Sequence, residues 1–373
     1  MVPRREFLAR SGSAALGLWL APATRQTPAW RTAARDLEQQ IPDLMRQHAV
    51  PGASAVVVRD GALVWRRAFG VADTVSKAPV TPETIFSAGS MSKPVFAYAV
   101  MQLCDKGLIG LDTPLTKYTP DRYVKDDPRL DLITARHVLS HTSGFQNWRS
   151  ETDPLRIHFT PGQRYLYSGE GYSYLQSVVT HLTGHVDRAA CARYEAGLQV
   201  CATDIDGYMK SHVFAPFGMA SAAYVWNQSL ERRLARPHGS SGQPLARIRP
   251  TATDAARYAA AGGLLIAPND YAKFVIDVIA PKETGHFRLR KATVAEMLRP
   301  QVKTNDEFSS SWALGWQVQQ SGVINHGGDN TGFHAHAIAS AENRSGFVIM
   351  TNGERGGSLI VKLLTGEPIR HIL

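Results

Sequence analysis

The longest apolar run of the chain follows a cluster of small residues. Ser87-Ala88-Gly89-Ser90-Met91-Ser92-Lys93 leads into Pro94-Val95-Phe96-Ala97-Tyr98-Ala99-Val100-Met101-Gln102-Leu103. A run of this length without a polar stripe predicts a helix buried on all sides, entered through a tight turn. Pro94 suits the first turn, where N–H groups have no intrahelical partner. Lys106-Gly107 predicts the end, a cation near the last carbonyls and then a C-cap glycine.

Elsewhere the period changes. Residues 29–48 predict a helix interrupted near Pro42. Residues 53–59 and 62–70 are β-rich and meet at Asp60-Gly61, a strong hairpin signal. Residues 108–254 are rich in short helical patterns broken by Pro, Gly and aromatics. Among them 132–139 and 171–183 predict helices, the polar 187–206 has the character of a local insertion, and 236–249 reads as a polar loop. Beyond Thr251 come a small apolar stretch at 260–266 and an amphipathic one at 270–280. Strand-like runs follow at 312–320, 322–325, 333–340 and 346–351, the last two joined as a hairpin, and then a helix at 358–364. Strands at both ends with helices between predict one antiparallel sheet built from the chain ends. The expected division is a sheet domain from 29–86 and 255–373, and a mainly helical domain from 87–254 that carries the buried helix.

Composition narrows the class. The 373 residues are 44% hydrophobic and 20% charged, enough to bury a sizeable core and unlike a disordered chain. The net charge of +9 comes from scattered residues without a basic run, so no nucleic-acid partner is expected. Arg4-Arg5-Glu6-Phe7-Leu8-Ala9-Arg10 resembles a twin-arginine export signal. A short apolar run follows, then Ala21-Pro22-Ala23, small residues suited to cleavage. The run is too short to span a bilayer. Residues 1–23 are therefore expected to be a signal peptide, and the product periplasmic or secreted, without stable membrane insertion. In that oxidising setting Cys191 and Cys201 are candidates to pair, leaving Cys104 in the key helix, and the sequence leaves open whether they do.

The chemistry starts at Ser90 and Lys93, the single S-x-x-K of the chain. At i and i+3 on a helix start they face each other. A serine hydroxyl is a weak nucleophile until a neighbouring base takes its proton. A lysine is that base only when neutral, which burial promotes. Tyr167, in a loop before a helix, is a candidate acid/base if a cation such as Lys93 lowers its pKa. His326-Gly327-Gly328-Asp329 sits between β-like runs. Its glycines let a substrate lie against backbone as an added strand, and an N–H there, with that of Ser90, can hold an oxyanion. His326 is placed to bond the substrate or tune Tyr167. His137 and His141 have metal-ligand spacing but no third ligand, and His334 and His336 alternate on a strand; all four read as structural. No metal or cofactor is expected. There is no G-x-S-x-G, phosphate loop or dinucleotide fingerprint.

Taken in order, these motifs resemble the class C β-lactamase-like serine hydrolases, a group that also holds esterases, D-amino-acid peptidases and DD-peptidases. Ser90-Met91-Ser92-Lys93 matches the nucleophile motif, Tyr167-Ser168-Gly169 falls where the family has Tyr-x-Asn, and His326-Gly327-Gly328 falls where class C enzymes have Lys-Thr-Gly and many relatives have His-x-Gly. Residues 139–144, 216–219 and 261–264 support the match. The resemblance implies an α/β (α+β) fold, an antiparallel sheet flanked by helices with an inserted helical domain. It implies that Ser90 is acylated, that Lys93 and Tyr167 share the proton work, and that the N–H groups of Ser90 and Asp329 form the oxyanion hole, with Gly327, Gly328 and Gly169 on the substrate side. Two departures stand out. Gly169 replaces an asparagine that binds substrate amide, and His326 replaces a charged lysine that holds a carboxylate. Both weaken the expectation of efficient β-lactam hydrolysis and favour ester or small-peptide substrates, with Glu170, Asn147 and Asn330 as candidate substitutes. The expected reaction is acyl-enzyme hydrolysis of an ester, amide or β-lactam in a small-molecule or peptide substrate. The other class left open is a non-catalytic or slow protein that binds penicillin or cell-wall peptide.

Overall fold

The expected antiparallel sheet forms in the computed structural model, which describes residues 28–120, 122–193, 199–282, 285–304 and 310–373, the hairpin at 186–203 by its backbone only. The signal-peptide stretch and the side chains of Cys191 and Cys201 lie outside the described residues. Among the described residues the main sheet has eight strands: β1 (Gly52–Arg59), β2 (Ala62–Gly70), β3 (Val302–Lys303), β4 (Ser311–Trp312), β5 (Gln317–Val318), β6 (Ile324–Asn330), β7 (Phe333–Ser340) and β8 (Ser345–Thr351). Their order is β2-β1-β8-β7-β6-β5-β4-β3, so the two chain ends meet where β1 pairs with β8. Asp60 and Gly61 both take positive φ (53° and 71°), the geometry that a two-residue hairpin with matching twist requires.

β1 and β8 are buried along almost their whole length because both faces of the sheet are covered. Alternate side chains go to different cores. Ala53, Ala55, Val57, Phe347 and Ile349 join helix α1 (Ala29–Gln47) and the C-terminal helices, while Val56, Val58, Val348 and Met350 join the larger core on the other face. The larger core continues through helix α2 (Ser92–Asp105) into the helices inserted between the strands. Every α2 residue from Ser92 to Leu103 is buried. Bonds from the N–H of Gly107 to the carbonyl of Cys104 (3.0 Å) and from Leu108 to Leu103 (2.9 Å) close the helix at Lys106-Gly107. Across the core the Tyr98 hydroxyl donates to Asp277 (2.7 Å), which Arg288 also holds (2.5 Å).

Several expectations change, among them the strand-like run at 312–320, which forms two short strands, β4 and β5, that pair with each other. α1 runs through Pro42 without a break: its buried stripe Ala33, Ala34, Leu37, Ile41 and Met45 packs on both sides of the proline, so burial outweighs one missing backbone bond. Only Ala135–Leu139 of the stretch at 132–139 is α-helical, with Thr134 as its N-cap. The polar stretch at 187–206 includes a two-stranded hairpin, Val186–Arg193 with Gln199–Thr203. Finally, the glycine-rich stretch after Asn325, expected to lie between strand-like runs, is itself strand. β6 continues through Asn330 and pairs residue by residue with β7, because the ladder needs only backbone groups, which glycine supplies despite its poor strand propensity.

Candidate active site

Ser90 stands in a 3₁₀ turn, Gly89–Met91, at the entrance of α2. Ser92 pins that turn. Its hydroxyl donates to the Gly89 carbonyl (2.7 Å) and accepts from the Leu264 N–H (2.9 Å). The Tyr271 hydroxyl holds the Met91 carbonyl (3.1 Å). β6 crosses this turn closely. A Cβ on Gly328 would lie 1.9 Å from the Ala88 carbonyl oxygen, and one on Gly89, whose φ is +51°, would lie 2.5 Å from the Asp329 nitrogen. Both glycines are therefore required for the approach that brings the backbone of Asp329 against the nucleophile turn.

Lys93 is 1% exposed. Its Nζ lies 3.1 Å from Ser90 Oγ and 2.6 Å from the carbonyl oxygen of Ala261, at the end of helix α4 (Ala252–Gly262; α3 is Gly169–Leu182). Burial lowers its pKa from 10.5 to about 7. The neutral amine donates to Ala261 and keeps a lone pair for the Ser90 proton. α4 is itself held from α3: Gln176 donates to the carbonyls of Ala255 (2.9 Å) and Ala256 (2.8 Å) and accepts from the Ala260 N–H (2.8 Å).

Tyr167 lies over the amine, with Lys93 Nζ 4.7 Å from its ring centre. The expectation of a lowered phenol pKa is corrected. Burial raises it, the charge of Asp329 adds to that, and a hydrogen bond with Ser90 opposes them without prevailing. Lys93, when neutral, has lost the charge that would have pulled it down. Tyr167 is thus a protonated phenol at neutral pH, with a proton it is able to donate. His141 keeps it in place. Its fully buried ring packs on Tyr167 at 4.2 Å and on Trp312 at 4.6 Å, and its Nδ1 accepts from the Ser168 N–H (3.0 Å). His137 does separate work in the Thr134 capping box.

On the opposite wall His326 is buried and its pKa falls to about 3, chiefly by burial and also through Lys93. Its Nδ1 lies 2.6 Å from the Gly327 carbonyl, so this nitrogen carries the proton; Nε2 is a buried acceptor without a partner among the described residues. The histidine at the family's lysine position therefore bears no charge at neutral pH. Gly169 presents no side chain. A Cβ there would lie 2.4 Å from the indole of Trp148, which takes the space an asparagine side chain would need. Of the three candidate substitutes, Asn147 and Asn330 line the cavity. The side-chain carbonyl oxygen of Asn147 accepts from the Gly169 N–H (2.8 Å), which leaves its NH₂ group as the donor. Glu170 is excluded, being locked in a buried pair with Arg149 (2.8 Å) and accepting from Tyr123 (2.8 Å).

These groups enclose a cavity of ≈ 470 Å³ reached by Ser90, Lys93, Tyr167, His326, Gly327 and Asp329, which brings the sequence-predicted residues together. Gly328 is turned against the nucleophile turn and Gly169 lies under Trp148. Sequence reasoning misses Trp148, Trp312 and His336 on the lining, and the carbonyl of Ala261 as the lysine's partner. His336 reads from the sequence as a sheet residue only, though its alternation with His334 on β7 is a usable signal.

A family model described as Beta-lactamase matches residues 37–362. Esterase EstB of Burkholderia gladioli is 36% identical over 133 residues, 35% of this chain and 34% of that protein's length. Penicillin-binding protein 4 of Amycolatopsis lactamdurans is 27% identical over 88% of this chain and 89% of its own length. Among solved structures, the β-lactamase/D-alanine carboxypeptidase from Pseudomonas syringae superposes with a TM-score of 0.72 at 17% identity, covering 91% of this chain and 99% of that one. That likeness shows a shared β-lactamase/DD-peptidase fold.

Proposed function

The chain belongs to the beta-lactamase family, and we propose that within it this protein is a serine esterase working through an acyl-enzyme on uncharged substrates. Neutral Lys93 takes the Ser90 proton as Oγ attacks the ester carbonyl carbon. The N–H groups of Ser90 and Asp329 face the oxygen that becomes negative. As the ester C–O bond breaks, Tyr167 supplies a proton to the leaving alcohol and is re-protonated from the lysine. Water then attacks the acyl-Ser90 ester by the same route in reverse, releasing the carboxylic acid.

The observation that carries the choice of ester is the charge of the cavity. Among the described residues its lining holds one lysine, Lys93, whose charge burial suppresses, and no arginine; the histidine at the carboxylate-binding position is neutral as well. The carboxylate of a β-lactam or a D-peptide would have to be desolvated there without a fixed cationic partner, and the 75% exposed Asp329 carboxylate at the rim would repel it. A neutral ester meets neither cost. Arg4-Arg5 and the apolar run behind them support export to the cell envelope. Among the described residues no helix is long and apolar enough to cross a membrane.

Intact-mass analysis tests the reading. A fluorophosphonate is expected to add once, at Ser90, and not to the Ser90→Ala variant. Benzylpenicillin is expected to add slowly or not at all. Rapid stoichiometric acylation by penicillin with no ester turnover would overturn the esterase assignment in favour of penicillin recognition.

A further inference from the structure

Beyond Trp148 the catalytic cavity meets a second one, of ≈ 550 Å³, and the two share Trp148, Gly262 and Asn330 on their walls. Ile248, Pro250, Tyr258, Leu265 and Phe333 make its lining mostly apolar. The charged groups on its rim and Asn330 are already engaged, while the buried Tyr224 hydroxyl has no partner among the described residues. Arg249 holds Glu231 through two bonds (2.8 and 3.2 Å), and the Asp254 carboxylate accepts from the N–H and hydroxyl of Thr251 (both 2.7 Å). The Asn330 amide donates to Ser87 (2.7 Å) and to the Gly262 carbonyl (3.1 Å). Neither charged side chain of this lining is left without a partner to meet a ligand.

Trp148 forms the partition. It is 40% exposed, sits on Gly169 and packs edge-on against Tyr258 at 5.5 Å. Any side chain at position 169 would displace the indole from that place. The departure from the family's asparagine thus replaces a polar contact with an aromatic wall facing both cavities.

We propose that the second cavity is the acyl-binding site of this enzyme and that its substrates are esters of uncharged, medium-length hydrophobic carboxylic acids. The proposal rests on the esterase reading and deepens it. The acyl half is assigned here because the leaving alcohol must depart next to its proton donor, Tyr167, which lines the catalytic cavity and not the second one. The group that passes Gly262 and Asn330 into the apolar space is then the one retained on Ser90. Burying each added methylene is expected to raise kcat/KM about threefold to fourfold until the cavity fills.

The test is kcat/KM for p-nitrophenyl acetate, butyrate, hexanoate and octanoate, in the wild type and in two variants that narrow the cavity. Ile248→Trp acts at the half-buried rim and Ala255→Phe inside. The expected result is a rise of at least tenfold from acetate to hexanoate. Either variant should flatten it while acetate hydrolysis stays within about twofold. Ethyl hexanoate should be preferred over hexyl acetate. A flat or falling series, or a gain that follows the alcohol half, would overturn the acyl site while leaving the esterase reading intact. A rise that survives in both folded variants would place the site elsewhere. Failure of every ester, acetate included, would overturn both readings.

Discussion

The two walls of the catalytic cavity are built to different ends. On one, Ser90, Lys93 and Tyr167 are fixed from behind: the nucleophile turn by Ser92 and Tyr271, the amine by Ala261 of a helix that Gln176 holds, and the phenol by the His141 ring. On the other, the two positions that the family resemblance assigns to substrate binding carry a neutral histidine and a glycine covered by Trp148. In the proposed reading the acylating machinery is kept and anion recognition is withdrawn. Chemistry and selectivity are separable here because they rest on different elements, α2 and its supports against β6 and the loop carrying Trp148.

Removing the base breaks the comparison from the chemical side. Lys93→Met is expected to lower kcat by about 10²–10⁴-fold. It should also stabilise the fold at pH 7 by about 1–3 kcal/mol, since an apolar side chain replaces a buried amine. Linkage sets the sign. The folded-state pKa of about 7 lies below the ordinary 10.5, so between those pH values the unfolded chain binds a proton that the folded one does not. Wild-type stability therefore rises with pH across that window and is most penalised below it. Thermal melts at pH 7 and pH 9 should show this rise in the wild type and not in Lys93→Met. In the same way, wild-type kcat/KM should climb through about pH 7 to a plateau.

His141→Ala addresses the support of that wall. Loss of the ring packed on Tyr167 is expected to cost about 10–100-fold in kcat with KM nearly unchanged, as misplacement of a proton donor would. An unaltered kcat would make His141 a packing residue only.

The recognition wall is sharpened by restoring the charge. His326→Lys is expected to accelerate acylation by benzylpenicillin about tenfold and to leave neutral-ester turnover unchanged or lower, which stopped-flow acylation rates would measure. The smallest effect belongs to His334. Burial pushes its pKa down, but the bond to the Asp329 carboxylate and its charge raise it above the ordinary value. The pair contributes stability below about pH 6.5 that fades as pH rises through the folded-state pKa. His334→Ala should change kcat no more than about threefold, with its largest difference in melting temperature at acid pH.

Much of the catalytic wall is legible in the sequence. S-x-x-K spacing puts two side chains on one helical turn, an unbroken apolar run implies the burial that neutralises the lysine, and paired runs at the chain ends announce the sheet. The recognition wall is less so. A loop and a strand look alike around Gly327-Gly328, where glycine supplies only backbone bonds. The apolar pattern therefore ends the strand at Asn325, while β6 runs to Asn330.

Trp148 follows no readable pattern. Its place depends on the empty space above Gly169, which appears only once the loop and α3 are folded together. The protonation state of Tyr167, though not its place in the site, escapes sequence reasoning for a related reason: the expected cation beside it is the very lysine that burial neutralises.

The most direct test of this separation is the ratio of kcat/KM for p-nitrophenyl butyrate to that for a chromogenic cephalosporin, measured on one preparation at about pH 8, above the lysine's folded-state pKa. A ratio above about 10², with both activities lost in Ser90→Ala, is the predicted result. Equal or faster cephalosporin turnover through Ser90 would contradict it, because a β-lactam carboxylate would then be recognised without the charge that this cavity lacks.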